Sequence, residues 1–511
     1  MIKSIGIDLG TTYSCVIHHS ETGERIVENI DDRELTPSVV YFDSSGDVLV
    51  GDQAKDRLAD DIDNTVVGIK RQMGREFPLS FGGRVYTPEG ISGIILRRLA
   101  EDAASFLGVQ REELRAVVTV PAYFGVGERE ATYAAARIAE LECLELLPEP
   151  VAAAYAYGLS EEPNKTSLVY DLGGGTFDVA VVGMSEGKPK VWAVDGDVKL
   201  GGLDWDVRIQ DLLWQRVMEL DNAEDLRYDD EVVGIITAAA ELLKRRLTTQ
   251  ESVKERVILQ GQRLELLVTR TEFNESASDL VLRTQETSAR VIEAARAQGA
   301  PDIDQVLLVG GSTRMPMIRD SLSNFLNVEV KLADPDKAVA RGAAILAEQL
   351  VAHTAKSNNL SLPRITSVLP KSIGILTYSS RAPYREEPYI DHFLSANMQL
   401  PIVGYEHTIA TVTDDQERAK IQIFEQAGTR QSDVVADNRL LVEGEIVGIP
   451  RRPAGSPIKL KVSVATDGRI SVESLDGSRP TRLEVEAFMH GVLDDAEILQ
   501  QQEVVSGLRL V

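Results

Sequence analysis

The sequence predicts a two-lobed α/β body followed by a smaller all-β antiparallel sandwich. Three observations predict it. Residues 5–16 (IGIDLGTTYSCV) and 168–179 (LVYDLGGGTFDV) share one layout: an apolar strand, an Asp-Leu-Gly turn carrying threonine, and a second apolar strand. Two copies of one device, about 160 residues apart, predict two homologous lobes facing each other. Residues 306–318 (VLLVGGSTRMPMI) then run strand, paired glycines, helix. From residue 372 the chain changes to short alternating strands (SIGILTY, HTIATVT, AKIQIFEQ, IKLKVSV) with turn signals at Pro450, Pro453 and Asp467-Gly468, the pattern of a sandwich.

The first hairpin leads from Ile5 and Ile7 to Asp8, then Gly10, Thr11, Thr12 and Tyr13. In the second, Gly173, Gly174 and Gly175 follow Asp171, and Thr176 and Asp178 follow the glycines. Glycine adopts conformations closed to other residues and lets backbone N–H groups approach a ligand. Successive free N–H groups form an anion-binding concavity, and a carboxylate at the end of the preceding strand can hold a hydrated cation beside the anion. The stretch reads as a phosphate-and-magnesium hairpin; an ordinary glycine-rich turn is the competing reading.

Between the hairpins, residues 35–58 read as a turn and short strands, and Lys70 follows in VVGIKRQMGR, where composition alone makes it a surface lysine. Residues 89–107 have helical spacing with Gly108 as a stop. Residues 115–124 read as a buried strand ended by Pro121, and 128–147 as one Ala-rich helix. Glu149 stands between Pro148 and Pro150 at a helix start; it is either a charge serving the helix dipole or a catalytic group. Gly201 and Gly202 precede a helix, as a phosphate contact or a tight turn. Residues 231–247 form a helix bearing Glu241, Lys244 and Arg245, 253–268 a hairpin, 272–298 one long helix, and 335–350 a helix begun by Pro335. The predicted divisions are 1–355, a polar linker at 356–371, a sandwich at 372–490, and a short helix or tail at 491–511.

Composition narrows the function classes. A net charge of −26 argues against nonspecific binding to nucleic acid or anionic lipid. The two cysteines, Cys15 and Cys143, form no disulfide framework and no metal-ligand spacing. No signal peptide and no membrane span are read from the sequence, so a cytoplasmic protein, expected to be monomeric, follows.

Seven motifs in order carry a resemblance over nearly the whole chain: IGIDLGTTYSCV, IKRQMGR, VVTVPAYF, LVYDLGGGTFDV, GDVKLGGLDWD, VLLVGGSTRMPM and DPDKAVARGAA. The sequence resembles the DnaK-type heat-shock chaperone family, closest to its HscC-like branch through compact stretches at 71–92 and 249–268. The resemblance implies an actin-like ATPase of two ribonuclease-H-like lobes, then a β-sandwich that binds extended peptides. It implies ATP/ADP, Mg²⁺ and K⁺ as cofactors, with unfolded or extended peptides as clients. A J-domain co-chaperone and a nucleotide exchange factor are the implied partners. Carried over, Asp8 and Asp171 hold Mg²⁺, mostly through waters, and Tyr13 and Asp178 lie near potassium, with Asp178 counted among the metal residues. Thr11, Thr12, Gly173, Gly174 and Thr176 cradle the phosphates and Gly201 and Gly202 contact them. Lys70 faces the γ-phosphate, Glu149 orients the attacking water, and Asp171 and Thr176 complete the catalytic set. Glu241, Lys244, Thr248, Gly311, Ser312, Arg314 and Asp336 surround ribose and adenine; Gly10, Gly175, Arg245 and Gly310 complete the nucleotide-binding residues.

Four departures from the family shape the expectation. The apolar linker is replaced by Pro363, Arg364, Ile365, Thr366 and Ser367, so coupling between the domains is expected to be weakened or altered. The positions that meet a J-domain hold Glu145, Pro148 and Val151, which predicts a divergent partner or none. The helical lid is missing, which predicts fast peptide exchange. In the peptide groove, Tyr378 and Val412 take the arch positions and Ala419 the central pocket, either as a wider pocket or as a surface strand position. The reading is an ATP-hydrolysing chaperone with slow basal turnover; the alternative is an ATP-binding regulator or scaffold with little turnover. A sugar or acetate kinase, or a filament-forming actin relative, is disfavoured by the sandwich and by the motifs at 306–318 and 334–344.

Overall fold

The computed structural model describes residues 2–511 apart from 21–22, 158–164, 186–187, 220–223, 260–261, 333, 357–366, 379–387, 429, 466–469, 475–480 and 484–492. Most of the predicted linker, including Pro363 to Thr366, and the Asp467-Gly468 turn lie outside the described residues.

The two main sheets share one strand order and one set of directions. In the first, Lys3–Asp8 runs antiparallel to Tyr13–Ser20, which pairs antiparallel with Gly23–Ile26. On its other side Lys3–Asp8 runs parallel to Leu114–Val120, and that strand parallel to Glu142–Pro148. In the second, Ser167–Leu172 stands where Lys3–Asp8 does, antiparallel to Phe177–Ser185 (itself paired with Lys188–Asp197) and parallel to Gln305–Val309, then Glu329–Leu332. The central strand SLVYDL is buried along its whole length, as a strand covered on both faces must be. Asp8 and Asp171 stand at the ends of the two equivalent strands, opposite Cys15 and Asp178.

Two helices, Glu149–Ala156 and Ala338–Lys356, pack against each other between the sheets. Their crossing is close because Gly342 has no side chain: a Cβ there would sit 1.8 Å from the Ala152 carbonyl oxygen. The Ala-rich runs VAAAYA and AVARGAA thus serve close backbone approach, and Ala152, Ala153, Ala154, Ala343 and Ala347 are fully buried.

Three helix boundaries differ from the sequence reading. Residues 128–147 are a helix, Val126–Ile138, and then a strand, Glu142–Pro148. Glu140 takes a left-handed φ of 54°, which ends the helix, and Leu146 and Leu147 bury against Leu114–Val120. Residues 272–298 are two helices, Arg270–Ser276 and Ser278–Ala297, broken at Ala277. Thr269 and Glu272 form a reciprocal capping box that fixes where the first of them begins. The helix predicted from Pro335 starts at Ala338, because the Pro335 carbonyl is taken by the Gly310 N–H at 3.0 Å.

The second half is two four-stranded antiparallel sheets. One has the order Pro388–Leu394, Ile373–Tyr378, Arg418–Gln426, Asn438–Val447; the other Ile402–Ala410, Pro457–Val464, Ile470–Ser474, Thr481–Leu483. Alternation in RAKIQIFEQ and PIKLKVSV sends Ile421, Ile423, Ile458, Leu460 and Val462 into the shared core. The sequence then returns to the first lobe: helix Asp495–Ser506, capped by Asp494 and Glu497, packs on Pro88–Leu107 and Val126–Ile138. Arg509–Leu510 adds a parallel strand beside Asp47–Val50. Among the described residues no helix is long and apolar enough to cross a membrane.

Candidate functional site

The two glycine hairpins meet across the cleft. A Cβ on Gly174 would lie 1.7 Å from Thr12 Oγ1, and one on Gly175 2.2 Å from Thr11 Cγ2. Only glycine allows the turns to touch, and this is the physical need behind the run DLGGGT. The second turn is fixed from behind. Gly173 N–H donates to the Thr176 carbonyl at 3.0 Å, and Gly202 N–H and Leu203 N–H donate to the Gly173 and Gly174 carbonyls at 2.9 and 2.7 Å. Ser312 Oγ donates to the Gly173 carbonyl at 2.9 Å.

Beneath and between the hairpins lies a cavity of about 340 Å³. Asp8, Gly10, Thr11, Thr12, Lys70, Glu149, Asp171, Gly173, Gly174 and Thr176 line it. Tyr13, Glu241, Lys244, Arg245, Thr248, Gly310, Gly311, Ser312, Arg314 and Asp336 line it as well. The structure therefore brings together most of the residues singled out in sequence. Four do not line the cavity. Gly175 faces Thr11 of the first hairpin, and Gly201 and Gly202 stack behind the second; a Cβ on Gly201 would meet the Gly175 backbone at 2.4 Å. Asp178 sits one layer deeper, its Oδ1 accepting from the Ala122 N–H at 2.7 Å and the Tyr123 N–H at 3.4 Å, while buried Oδ2 has no partner.

The electrostatics are those of crowded, buried carboxylates. Burial and then the Glu149 charge push the Asp8 carboxyl up to about 7, although Lys70 and a 3.0 Å hydrogen bond from Thr119 Oγ1 oppose the shift. Burial and Glu149 likewise raise Asp171 and Asp178 well above the usual carboxylate range. Lys70 is the cation among them. Its Nζ lies 2.6 Å from Glu149 Oε1, with both side chains nearly buried. Burial pulls the Lys70 ammonium down, but Glu149 and Asp8 outweigh it and hold the pKa above the usual lysine value. Buried Glu149 and Asp171 and half-buried Asp8 surround one lysine, an excess of negative charge that a hard cation such as Mg²⁺ would offset.

Lys55 Nζ donates to Tyr13 Oη at 2.7 Å and pairs with Glu241 at 2.6 Å, closing the first lobe onto helix Asp230–Leu247. Lys244 is held by Asp206 at 2.7 Å and by the Gly202 carbonyl at 2.9 Å. Arg314 and Asp336 pair at 2.6 Å at the rim.

A match to a family model completes the picture: the model for the Hsp70 protein matches residues 4–81 and 78–506. The chain belongs to the Hsp70 family. That family comprises ATP-dependent chaperones, whose ATPase part binds ATP or ADP with Mg²⁺ and whose sandwich engages unfolded peptides.

Sequence reasoning missed several residues of this Hsp70 site. Arg71, next to Lys70, reaches from the first lobe to the second: Nε donates to the Gly175 carbonyl and Nη2 to Asp204, both at 2.7 Å. Asp204 in turn accepts from the Gly201 N–H at 2.8 Å. A second basic residue beside Lys70 was the available signal; its partners lie over a hundred residues away. Charge-assisted bonds of this type contribute roughly 1.5–3 kcal/mol each. Arg71→Ala should therefore weaken ATP binding about tenfold or more, measured by titration calorimetry. An unchanged affinity would mean that Arg71 does not set the position of the hairpin.

The sandwich docks on the ATPase body through residues that sequence reasoning also passed over. Val368 buries among Val117, Ala122, Leu147 and Val151, and Leu369 joins the sandwich core together with Val126 of the first lobe. Pro148 and Val151, two of the positions assigned to a J-domain contact, line a small cavity closed by Ser367 to Pro370. Glu425 Oε1 accepts from the Val126 N–H at 3.3 Å, at the start of helix Val126–Ile138. Lys371 and Arg439 reach Glu128 on the same helix at 3.4 and 3.2 Å. Gly125 and Gly127 make room: a Cβ on either would overlap Glu425 or Arg439, at 2.2 and 2.0 Å. Of the three groove residues, Tyr378 and Val412 are exposed, whereas Ala419 is buried in the sandwich core rather than on a surface strand position.

Proposed function

We propose that this chain is an ATP-hydrolysing chaperone of the HscC-like kind, in which a peptide-binding sandwich is coupled to the ATPase by altered contacts. One observation carries the reading: Lys70, Glu149, Asp8 and Asp171 converge with both glycine hairpins on a single cavity between the lobes. Phosphoryl transfer asks chiefly for positioning and for stabilisation of spreading negative charge. The N–H groups of Thr11, Thr12 and Gly174 suit the phosphates, and Tyr13, Glu241, Lys244, Arg245 and Arg314 suit the nucleoside. Asp8 and Asp171 are the residues to hold Mg²⁺, which would supply charge neutralisation at the phosphates; Tyr13 and Asp178 are the residues for K⁺. Lys70 stabilises charge on the transferring phosphoryl group, Glu149 orients and deprotonates the attacking water, and Thr176 hydrogen-bonds at the hairpin.

Turnover should be slow. With Lys70 held 2.6 Å from Glu149, each group is engaged by the other until a nucleotide separates them. The basic contacts for a standard J-domain are replaced by Glu145, Pro148 and Val151, and the last two lie against the Ser367–Pro370 segment, which favours a divergent J-domain partner or none. The domain division is an ATPase body over 1–355 and a sandwich over 372–490, and the cytoplasm is the proposed compartment.

The exposed pair Tyr378 and Val412 offers apolar surface to an extended client, bound by strand-like backbone pairing. A fluorescent apolar heptapeptide should bind with micromolar affinity and be released faster when ATP replaces ADP. Binding insensitive to nucleotide would remove the coupling. ATP binding with neither hydrolysis nor peptide release would point to a regulator or scaffold instead.

A further inference from the structure

The last segment of the sequence is built into the ATPase body. Ile498, Val505 and Leu508 lie in the core of the first lobe, with relative exposures of 5%, 0% and 7%. The helix is held by more than apolar contact. Arg97, on helix Pro88–Leu107, donates to the carbonyls of Val505 and Leu508. Buried Gln501 donates to the Val85 carbonyl at 3.2 Å, over Gly90, whose missing side chain leaves room for it. Beyond the helix, Leu510 pairs with Val48 in a parallel ladder, and the Val511 N–H donates to the Val48 carbonyl at 3.1 Å. The strand Asp47–Val50 would otherwise end its sheet with open backbone groups on that side.

We propose that residues 493–511 are a clasp, an obligatory part of the first ATPase lobe in every nucleotide state. The sandwich is then anchored to the body on both sides. Val368 and Leu369 precede it and the clasp follows it in the chain. A sandwich tied at both ends is held by two connections, not one, when its docking contacts open.

Amide hydrogen exchange on the full chain tests this with ADP and with ATP in turn. The amides of 48–50 and 505–511 should be equally protected in both states. Val505→Asp, and separately Arg97→Ala, which buries no new charge, should each raise exchange in both segments by about tenfold or more, while the strand 167–172 stays protected. Val505→Ala, which only removes two buried methyl groups, should raise exchange in the same two segments by less than Val505→Asp. The proposal is overturned if either nucleotide alone deprotects these segments, or if the substitutions leave their exchange unchanged.

Discussion

Replacing Lys70 by alanine should leave ATP binding within a few-fold of the parent while lowering single-turnover hydrolysis by about a hundredfold, a loss of ~3 kcal/mol in transition-state stabilisation. Lys70 is buried at the junction of the two hairpins, and its partners Glu149 and Asp8 line the cavity with it. The residues proposed to meet the nucleoside, Tyr13, Glu241, Arg245 and Arg314, line the same cavity and are all kept in the variant. An interaction made only as charge spreads in the transition state costs kcat and not affinity when it is removed. Lys70→Ala would also leave Asp8, Glu149, Asp171 and Asp178 without their compensating cation, so the cluster should bind Mg²⁺ more tightly. Hydrolysis near the parental rate would remove Lys70 from the mechanism.

Arg439→Ala should undock the sandwich. The buried group at the interface holds two carboxylates, Glu128 and Glu425, against two cations, Lys371 and Arg439. Burial pushes Glu425 above the usual carboxylate value, while Lys371 and Arg439 overcome burial at Glu128 and hold it below. The ion pairs at Glu128 are therefore made with an ionised carboxylate. Taking away Arg439 leaves Glu128 and Glu425 facing Lys371 alone, a loss of ~1.5 kcal/mol or more, about tenfold or more in the docking equilibrium. Small-angle scattering should show a larger radius of gyration for Arg439→Ala than for the parent, and the ATP effect on peptide release should fall with it. An unchanged scattering profile and unchanged release would show that apolar burial of Val368 and Leu369 alone secures the interface.

The ATPase half was legible because its chemistry is local. DLGTT and DLGGGT carry their geometry in consecutive residues, and their strands are apolar runs of the length a buried strand needs. The docking surface was not legible, because it joins residues about 300 apart: Glu128 with Arg439, and Val126 with Glu425. No spacing rule connects such residues. Val368 and Leu369 follow the unusual stretch from Pro363 to Ser367, and two apolar residues alone carry no periodicity that marks an interface. Reading 128–147 as one helix failed for a related reason. Alanine content continues the helical pattern up to Ala139, and only the tertiary partner Leu114–Val120 shows that 142–148 is a strand. Arg71 could be seen in sequence as a charge; its bond to the Gly175 carbonyl could not.

The central claim is that the cavity between the lobes hydrolyses ATP with Lys70 and Glu149 in the roles given. Single-turnover hydrolysis of γ-labelled ATP by the full chain tests it most directly, run with Mg²⁺ and with chelator, for the parent and for Glu149→Gln. The parent should release labelled phosphate slowly and only with Mg²⁺, and Glu149→Gln should do so about a hundredfold more slowly with ATP still bound. Phosphate release that is absent in the parent, or equal in the two proteins, would contradict that claim.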